Sequence, residues 1–114
     1  MLISVVIPHL NQESHLQAVL RSLHDQQGVR ADVEIIVVDN GSRRLPTQVC
    51  EPWDNVTLTS EATPGPGPAR NRGAELASGD VLAFIDADCR AHPGWLATIE
   101  REFDDPETRI IGGD

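Results

Sequence analysis

The residues best placed to do chemistry are Asp86 and Asp88, separated by Ala87 and directly following the apolar run Val81-Leu82-Ala83-Phe84-Ile85. Such a run, β-branched or aromatic at three of its five positions, reads as a strand buried on both faces. Side chains alternate along a strand, so acids two apart leave its end on the same side. Carboxylates side by side repel, and a cation between or beside them relieves the repulsion. A hard divalent cation wants oxygen ligands, and Mg²⁺ takes one or two carboxylates together with a substrate's phosphates. The pattern points to a metal–diphosphate site at the carboxyl end of a parallel sheet. The plainer reading of the same residues is a polar turn, where Asp is common.

Other chemically equipped residues fall at comparable places. Asp39 closes the apolar stretch Ile35-Ile36-Val37-Val38 and opens Asp39-Asn40-Gly41-Ser42. A carboxylate there can accept a hydrogen bond from a base N–H or a ribose hydroxyl, or form an Asx turn. Pro8-His9-Leu10-Asn11 follows the first apolar run, Ile3 to Ile7. His9 has the chemistry to touch a nucleotide, although an isolated loop histidine is more simply polar surface. Arg70 falls in the first turns of a helix whose positive end suits a diphosphate, and it would add charge-assisted bonds. Arg72 reads as solvated and paired with Glu75. Cys89 reads as a small packing residue, because thiolates suit softer metals than a diphosphate site uses. Trp95 reads as a contact between helix and sheet.

The elements that must position these groups follow from periodicity. Ile3 to Ile7 is a first strand, ended by Pro8, which lacks the ladder N–H. Asn11 then serves as N-cap of a helix over about Gln12 to Gln26, with Leu16, Val19, Leu20 and Leu23 on one stripe. Val33 to Val38 is a second strand. A short irregular helix fits within Arg43 to Asp54, and Val56 to Thr59 is a third strand. A helix over about Pro68 to Ser78 carries small residues at Ala69, Gly73 and Ala77 that permit close packing. The strand before Asp86 comes next. A helix beginning at Pro93 follows, with Trp95, Leu96, Ile99 and Phe103 on one stripe. Ile110-Ile111 begins a fifth strand. Strands alternating with helices predict an α/β fold with a mostly parallel sheet flanked by helices. Ligands of such sheets bind at the carboxyl ends of the strands, where the polar clusters gather.

Composition narrows the classes. The 114 residues suit one domain or part of one, and 39% are hydrophobic, enough for a core. The net charge of −9 argues against binding nucleic acid and against polybasic membrane attachment. All nine basic residues are Arg, so a phosphate loop ending in Gly-Lys-Ser/Thr is impossible. Gly65-Pro66-Gly67 is not the dinucleotide fingerprint, because Arg70 stands where its third glycine belongs. Cys50 and Cys89 show no metal-ligand spacing and read as thiols of a reducing compartment. No signal peptide is read at the start, and no run approaches the ~18 apolar residues of a membrane span.

Taken in order, four stretches resemble glycosyltransferase family 2. They are Val5-Val6-Ile7-Pro8-His9-Leu10-Asn11, Ile36-Val37-Val38-Asp39-Asn40-Gly41-Ser42, Pro68-Ala69-Arg70-Asn71-Arg72-Gly73 with Ala77-Ser78-Gly79-Asp80, and Phe84-Ile85-Asp86-Ala87-Asp88. Each is weak alone; four in register along nearly the whole chain are specific. The resemblance implies a Rossmann-like GT-A fold and metal-assisted, inverting transfer of a sugar from a nucleotide-diphosphate sugar, first of all a UDP-sugar, to an acceptor hydroxyl. It maps Pro8, His9, Asn11 and Asp39 onto the nucleoside site and Arg70 onto the diphosphate. Asp88 becomes the direct ligand of Mn²⁺ or Mg²⁺, with Asp86 facing the ribose or the metal's water shell.

Members of that family continue into an acceptor-binding half that carries the general base. Residues 1–114 are therefore expected to be the nucleotide-sugar-binding part of a domain, with the acceptor part absent and no catalytic base of their own. Asp104, Asp105 and Glu107 read as solvated surface. The implied location is cytoplasmic, with peripheral attachment to the inner membrane face supplied by segments outside these residues. An apolar edge after Ile110-Ile111 would favour self-association. The alternative is a non-catalytic nucleotide-binding or interaction domain. A phospho-acceptor domain would want a lysine, and a sugar nucleotidyltransferase a Gly-rich basic loop near its start; the chain has neither.

Overall fold

The computed structural model describes residues 1–103 and 111–112. Along the chain run β1 (Leu2–His9), α1 (Glu13–His24), β2 (Asp32–Asp39), α2 (Thr47–Cys50), β3 (Val56–Ser60), α3 (Pro66–Leu76), β4 (Val81–Phe84), α4 (Trp95–Glu102) and β5 (Ile111–Gly112). The strands form one sheet in the order β3-β2-β1-β4-β5, and every pairing is parallel. The order reverses between β1 and β4, which makes the crevice beyond their carboxyl ends the natural ligand position. Among the described residues no helix is long and apolar enough to cross a membrane. Asp104, Asp105, Glu107 and Ile110 lie outside the described residues.

The period of two in each strand divides the core between the two faces of the sheet. Ile3, Val5 and Ile7 of β1 and Ile35 and Val37 of β2 point toward α1 and α4, where they meet Leu16, Leu20, Leu96 and Ile99. Val6, Ile36 and Val38 point the other way and meet Ala69 of α3. The α1 stripe expected from spacing is the stripe that is buried, and Trp95 joins the same core. Burial of one such aliphatic side chain contributes about 1.5–3 kcal/mol. On the other face there is little room. A Cβ added at Gly73 would run into the Val6 side chain, so α3 lies directly on β1.

Three expectations about local structure are corrected. Pro8 does not end β1, which continues through His9 in register with Asp39. Leu2 and Val6 accept hydrogen bonds on the β4 side, from Asp80 and Ile85. Pro8 shares their parity, so its missing N–H falls on that side, past Phe84, the β4 partner of Val6. Asn11 is not the cap of α1: it has a left-handed φ of 51°, and Gln12 occupies the N-cap position without a side-chain capping bond. Asn tolerates that conformation better than most residues. α3 starts at Pro66, two residues earlier than the sequence predicts, after Gly65 at φ 117°. A residue with a side chain would be strained at that angle.

Candidate functional site

The burial alternation of β4 persists past its end. Ile85 and Ala87 are buried, while Asp86 and Asp88 are exposed on the opposite parity. That places both acids on the side from which α3 approaches, and Arg70 Nη2 of α3 donates to Asp86 Oδ1 at 3.3 Å. Both partners remain substantially exposed, so the pair orients Asp86 and contributes little to stability. Ligand atoms of Asp86, Asp88 and Cys89 lie within 4.8 Å of one another. Arg72 pairs instead with Glu75 on the helix surface at 3.5 Å, as its spacing predicts. Cys89 is half-buried against the core, in keeping with a packing role.

A cavity of about 350 Å³ lies at the switch point. Pro8, Leu10 and Gln12 form one wall, Pro64, Gly65 and Pro66 another, and Asp86, Ala87 and Asp88 the third. Asn40 holds the second wall in place. Its Nδ2 donates to the carbonyls of Glu61 and Thr63, each at 2.9 Å, and its Oδ1 accepts the Gly65 N–H at 2.9 Å. Sequence reasoning placed Asn40 in a turn and gave it no task. The only signal it offered was an amide, able to donate and accept at once, beside a Pro/Gly loop that needs anchoring.

His9 and Asp39 stand at the base of this crevice, both buried. They end adjacent strands at paired positions, two residues beyond the core residues Ile7 and Val37, so parity turns them to the same face. The Gln12 N–H donates to His9 Nε2 at 3.0 Å, which leaves Nδ1 carrying the proton. Nδ1 then donates to Asp39 Oδ1 at 3.0 Å. Asp39 Oδ2 accepts the Ser42 N–H at 3.0 Å. Burial works to raise the Asp39 carboxyl, but hydrogen bonds from Ser42 and His9 together outweigh it and hold the group below its ordinary value. Across the top, Asn11 N–H donates to Ser42 Oγ at 2.8 Å and Arg43 N–H to Asn11 Oδ1 at 2.9 Å. The loops after β1 and β2 are thereby tied together.

The structure thus gathers Pro8, His9, Asn11, Asp39, Arg70, Asp86 and Asp88 around one crevice, in two tiers. Pro8, His9, Asp86 and Asp88 line the cavity, and Arg70 reaches it through Asp86. Asp39 and the His9 ring are sealed beneath, so His9 is not the polar surface group that an isolated loop histidine suggests. Asn11 joins the strap above them. The start of α3 offers fewer donors than a helix end usually does. Pro66 and Pro68 have no N–H, which leaves Gly67 as the donor among the first three residues. Any anion held there relies more on Arg70 than on the helix itself.

A parallel α/β sheet with acids and a cation at its switch point defines a Rossmann-like class of protein that binds ligands beyond its strand ends. Within that class, the family model described as Glycosyl transferase family 2 matches residues 4–114, and the chain belongs to this family. It is 33% identical to Glycosyltransferase AglE of Haloferax volcanii over 116 aligned positions, covering 97% of this chain and 38% of that protein. The crystal structure of Staphylococcus aureus TarS residues 1–349 with UDP-GlcNAc superposes with a TM-score of 0.81 at 28% identity, over 92% of this chain and 32% of that one. Glucosyl-3-phosphoglycerate synthase of Mycobacterium tuberculosis, solved with UDP, gives 0.67 at 30% identity, over 83% of this chain and 37% of that one. The fold is the GT-A fold of these neighbours. The chain spans about a third of the length of these relatives.

Proposed function

We propose that this chain supplies the donor-binding part of an inverting, metal-assisted glycosyltransferase that takes a nucleotide-diphosphate sugar, first of all a UDP-sugar. The observation that carries this reading is the exposed Asp86–Asp88 pair, with Arg70 against it, on the wall of the switch-point cavity of a family 2 chain. TarS and glucosyl-3-phosphoglycerate synthase, solved with UDP-GlcNAc and UDP, support a uridine donor. The donor set fits a divalent metal such as Mn²⁺ or Mg²⁺. Both acids are accessible and offer oxygen, and Asp86 keeps one oxygen beyond the one Arg70 uses. Asp88 would be the direct ligand and Asp86 the second or outer one. Bound there, the cation would stabilise charge building on the diphosphate as the sugar–phosphate bond breaks.

The chain's own residues do the rest of the donor work. Arg70 adds a guanidinium beside the diphosphate. Pro8, Gln12 and the Asn40-anchored Pro64–Pro66 wall shape the space for the nucleoside. Asp39 accepts a hydrogen bond from the base or ribose once the Asn11–Ser42 strap yields. Inversion also requires a base to take the acceptor's proton. Among the described residues the carboxylates lining the cavity are Asp86 and Asp88, which the donor side uses. Acceptor binding and the base are therefore assigned outside the described residues. Transfer would take place in the cytoplasm, with contact to the membrane face made by segments outside these residues.

Thermal unfolding with UDP, GDP or dTDP, each with Mn²⁺, tests the donor class. A ligand that binds only the native state stabilises it by about 2.7 kcal/mol at a hundredfold excess over its Kd. UDP is expected to raise Tm more than the others. No shift with any of the three would contradict the proposal. An equal shift with all of them would leave the diphosphate reading and remove the uridine one.

A further inference from the structure

We propose that His9 is a positioning residue for nucleoside binding: it holds Asp39 through Nδ1 while its Nε2 holds the first turn of α1. The inference rests on the reading of Asp39 as a nucleoside contact and adds what makes that contact work. Asp39 is the last residue of a strand, and a short carboxylate there can rotate among several donors. Here it cannot. The Ser42 N–H holds Oδ2 and His9 Nδ1–H holds Oδ1, both at 3.0 Å. A carboxylate fixed in its plane before the ligand arrives needs no rotation of its own to accept another hydrogen bond once the strap above it opens.

The ring is itself over-determined, which separates it from an ordinary buried histidine. It has no rotational freedom to trade Asp39 for another acceptor, because the Gln12 N–H already occupies Nε2. That bond replaces the cap that α1 lacks: Gln12 makes no side-chain cap, and its carbonyl begins the helix by accepting the Leu16 N–H at 2.8 Å. Gln12 also lines the cavity. One imidazole thus fixes the carboxylate beneath the nucleoside space and the helix start beside it. No other residue type offers a donor and an acceptor on opposite sides of one rigid ring.

The two functions separate by substitution. His9→Asn keeps an amide N–H near the Nδ1 position and gives up the Gln12 contact. His9→Gln reaches the Nε2 position and gives up the bond to Asp39. Calorimetric titration with UDP and with inorganic pyrophosphate, each with Mn²⁺, is combined with thermal unfolding of both variants and of Asp39→Asn. The expected result is a loss of UDP affinity of about tenfold or more in His9→Gln, with pyrophosphate affinity unchanged. His9→Asn should retain UDP affinity within about threefold even if its Tm falls further, because the capping bond is the one it loses. Equal UDP affinity in His9→Gln and wild type, with Asp39→Asn weakened, would overturn the role of His9 alone. So would a loss of UDP and pyrophosphate in step with Tm in both variants, which is what a purely structural histidine gives. UDP affinity unchanged in Asp39→Asn, or absent in wild type, would remove the reading of Asp39 itself and the proposal with it.

Discussion

Asp39 combines burial with charge, and its two tendencies oppose each other. Desolvation alone favours the neutral acid; hydrogen bonds from Ser42 and His9 favour the carboxylate and prevail. The native carboxyl therefore lies below the ordinary carboxylate value that it takes in the unfolded chain. A group lowered in this way contributes its stabilisation above the unfolded value and loses it as pH falls through the native one. Urea unfolding followed from about pH 6 down to about pH 3 should accordingly show a steeper loss of stability in wild type than in Asp39→Asn, which has no proton to take up at that site. Parallel curves would show that the carboxyl is not held low. Cys50 is shifted the other way, to about 11, by burial first and by the charge of Asp39 second. Its thiol is inert packing at neutral pH.

At the scale of elements, the packing of α3 on β1 decides how close Arg70 comes to Asp86. Gly73 makes that approach possible, because a Cβ at this position would meet the Val6 side chain and press toward Val38. Replacing Gly by Ala in a helix interior normally stabilises by up to about 1 kcal/mol. Overpacking a fitted contact costs about 1–3 kcal/mol, and here it should win. Gly73→Ala is expected to lower the unfolding free energy by about 1–2 kcal/mol in urea titration. A variant as stable as wild type, or more stable, would show that the helix can move aside at no cost. The strands and the α1 stripe were legible in the sequence because Ile3-Val5-Ile7, Ile35-Val37 and Leu16-Val19-Leu20-Leu23 carry the periods of the elements that bury them. The start of α3 was not, because prolines at 64, 66 and 68 each permit a first turn. The left-handed φ of Gly65 selects among them.

At the scale of the molecule, the parallel register brings together residues that the chain separates. Asp86 and Asp88 could be read together because they are neighbours in sequence and share a parity. His9 and Asp39 could not, since their contact exists only because β1 and β2 pair in register from Leu2↔Asp32 to His9↔Asp39. The signal was present in retrospect: each stands two residues past a buried aliphatic on a run of equal type. Asn40 was hidden for a related reason, as its partners lie on the segment after β3. The sheet order then turns three loops into one crevice, with acids at one wall and a fixed carboxylate at its base.

The central claim is that the crevice binds a nucleoside diphosphate through the Asp86–Asp88 pair with the help of a divalent cation. Its most direct test is calorimetric titration of UDP, with and without Mn²⁺, into wild type and Asp88→Ala. The predicted result is binding by wild type that strengthens at least about tenfold with Mn²⁺, and no such strengthening in Asp88→Ala. UDP affinity that is indifferent to Mn²⁺, or equally metal-dependent in Asp88→Ala, would contradict the account.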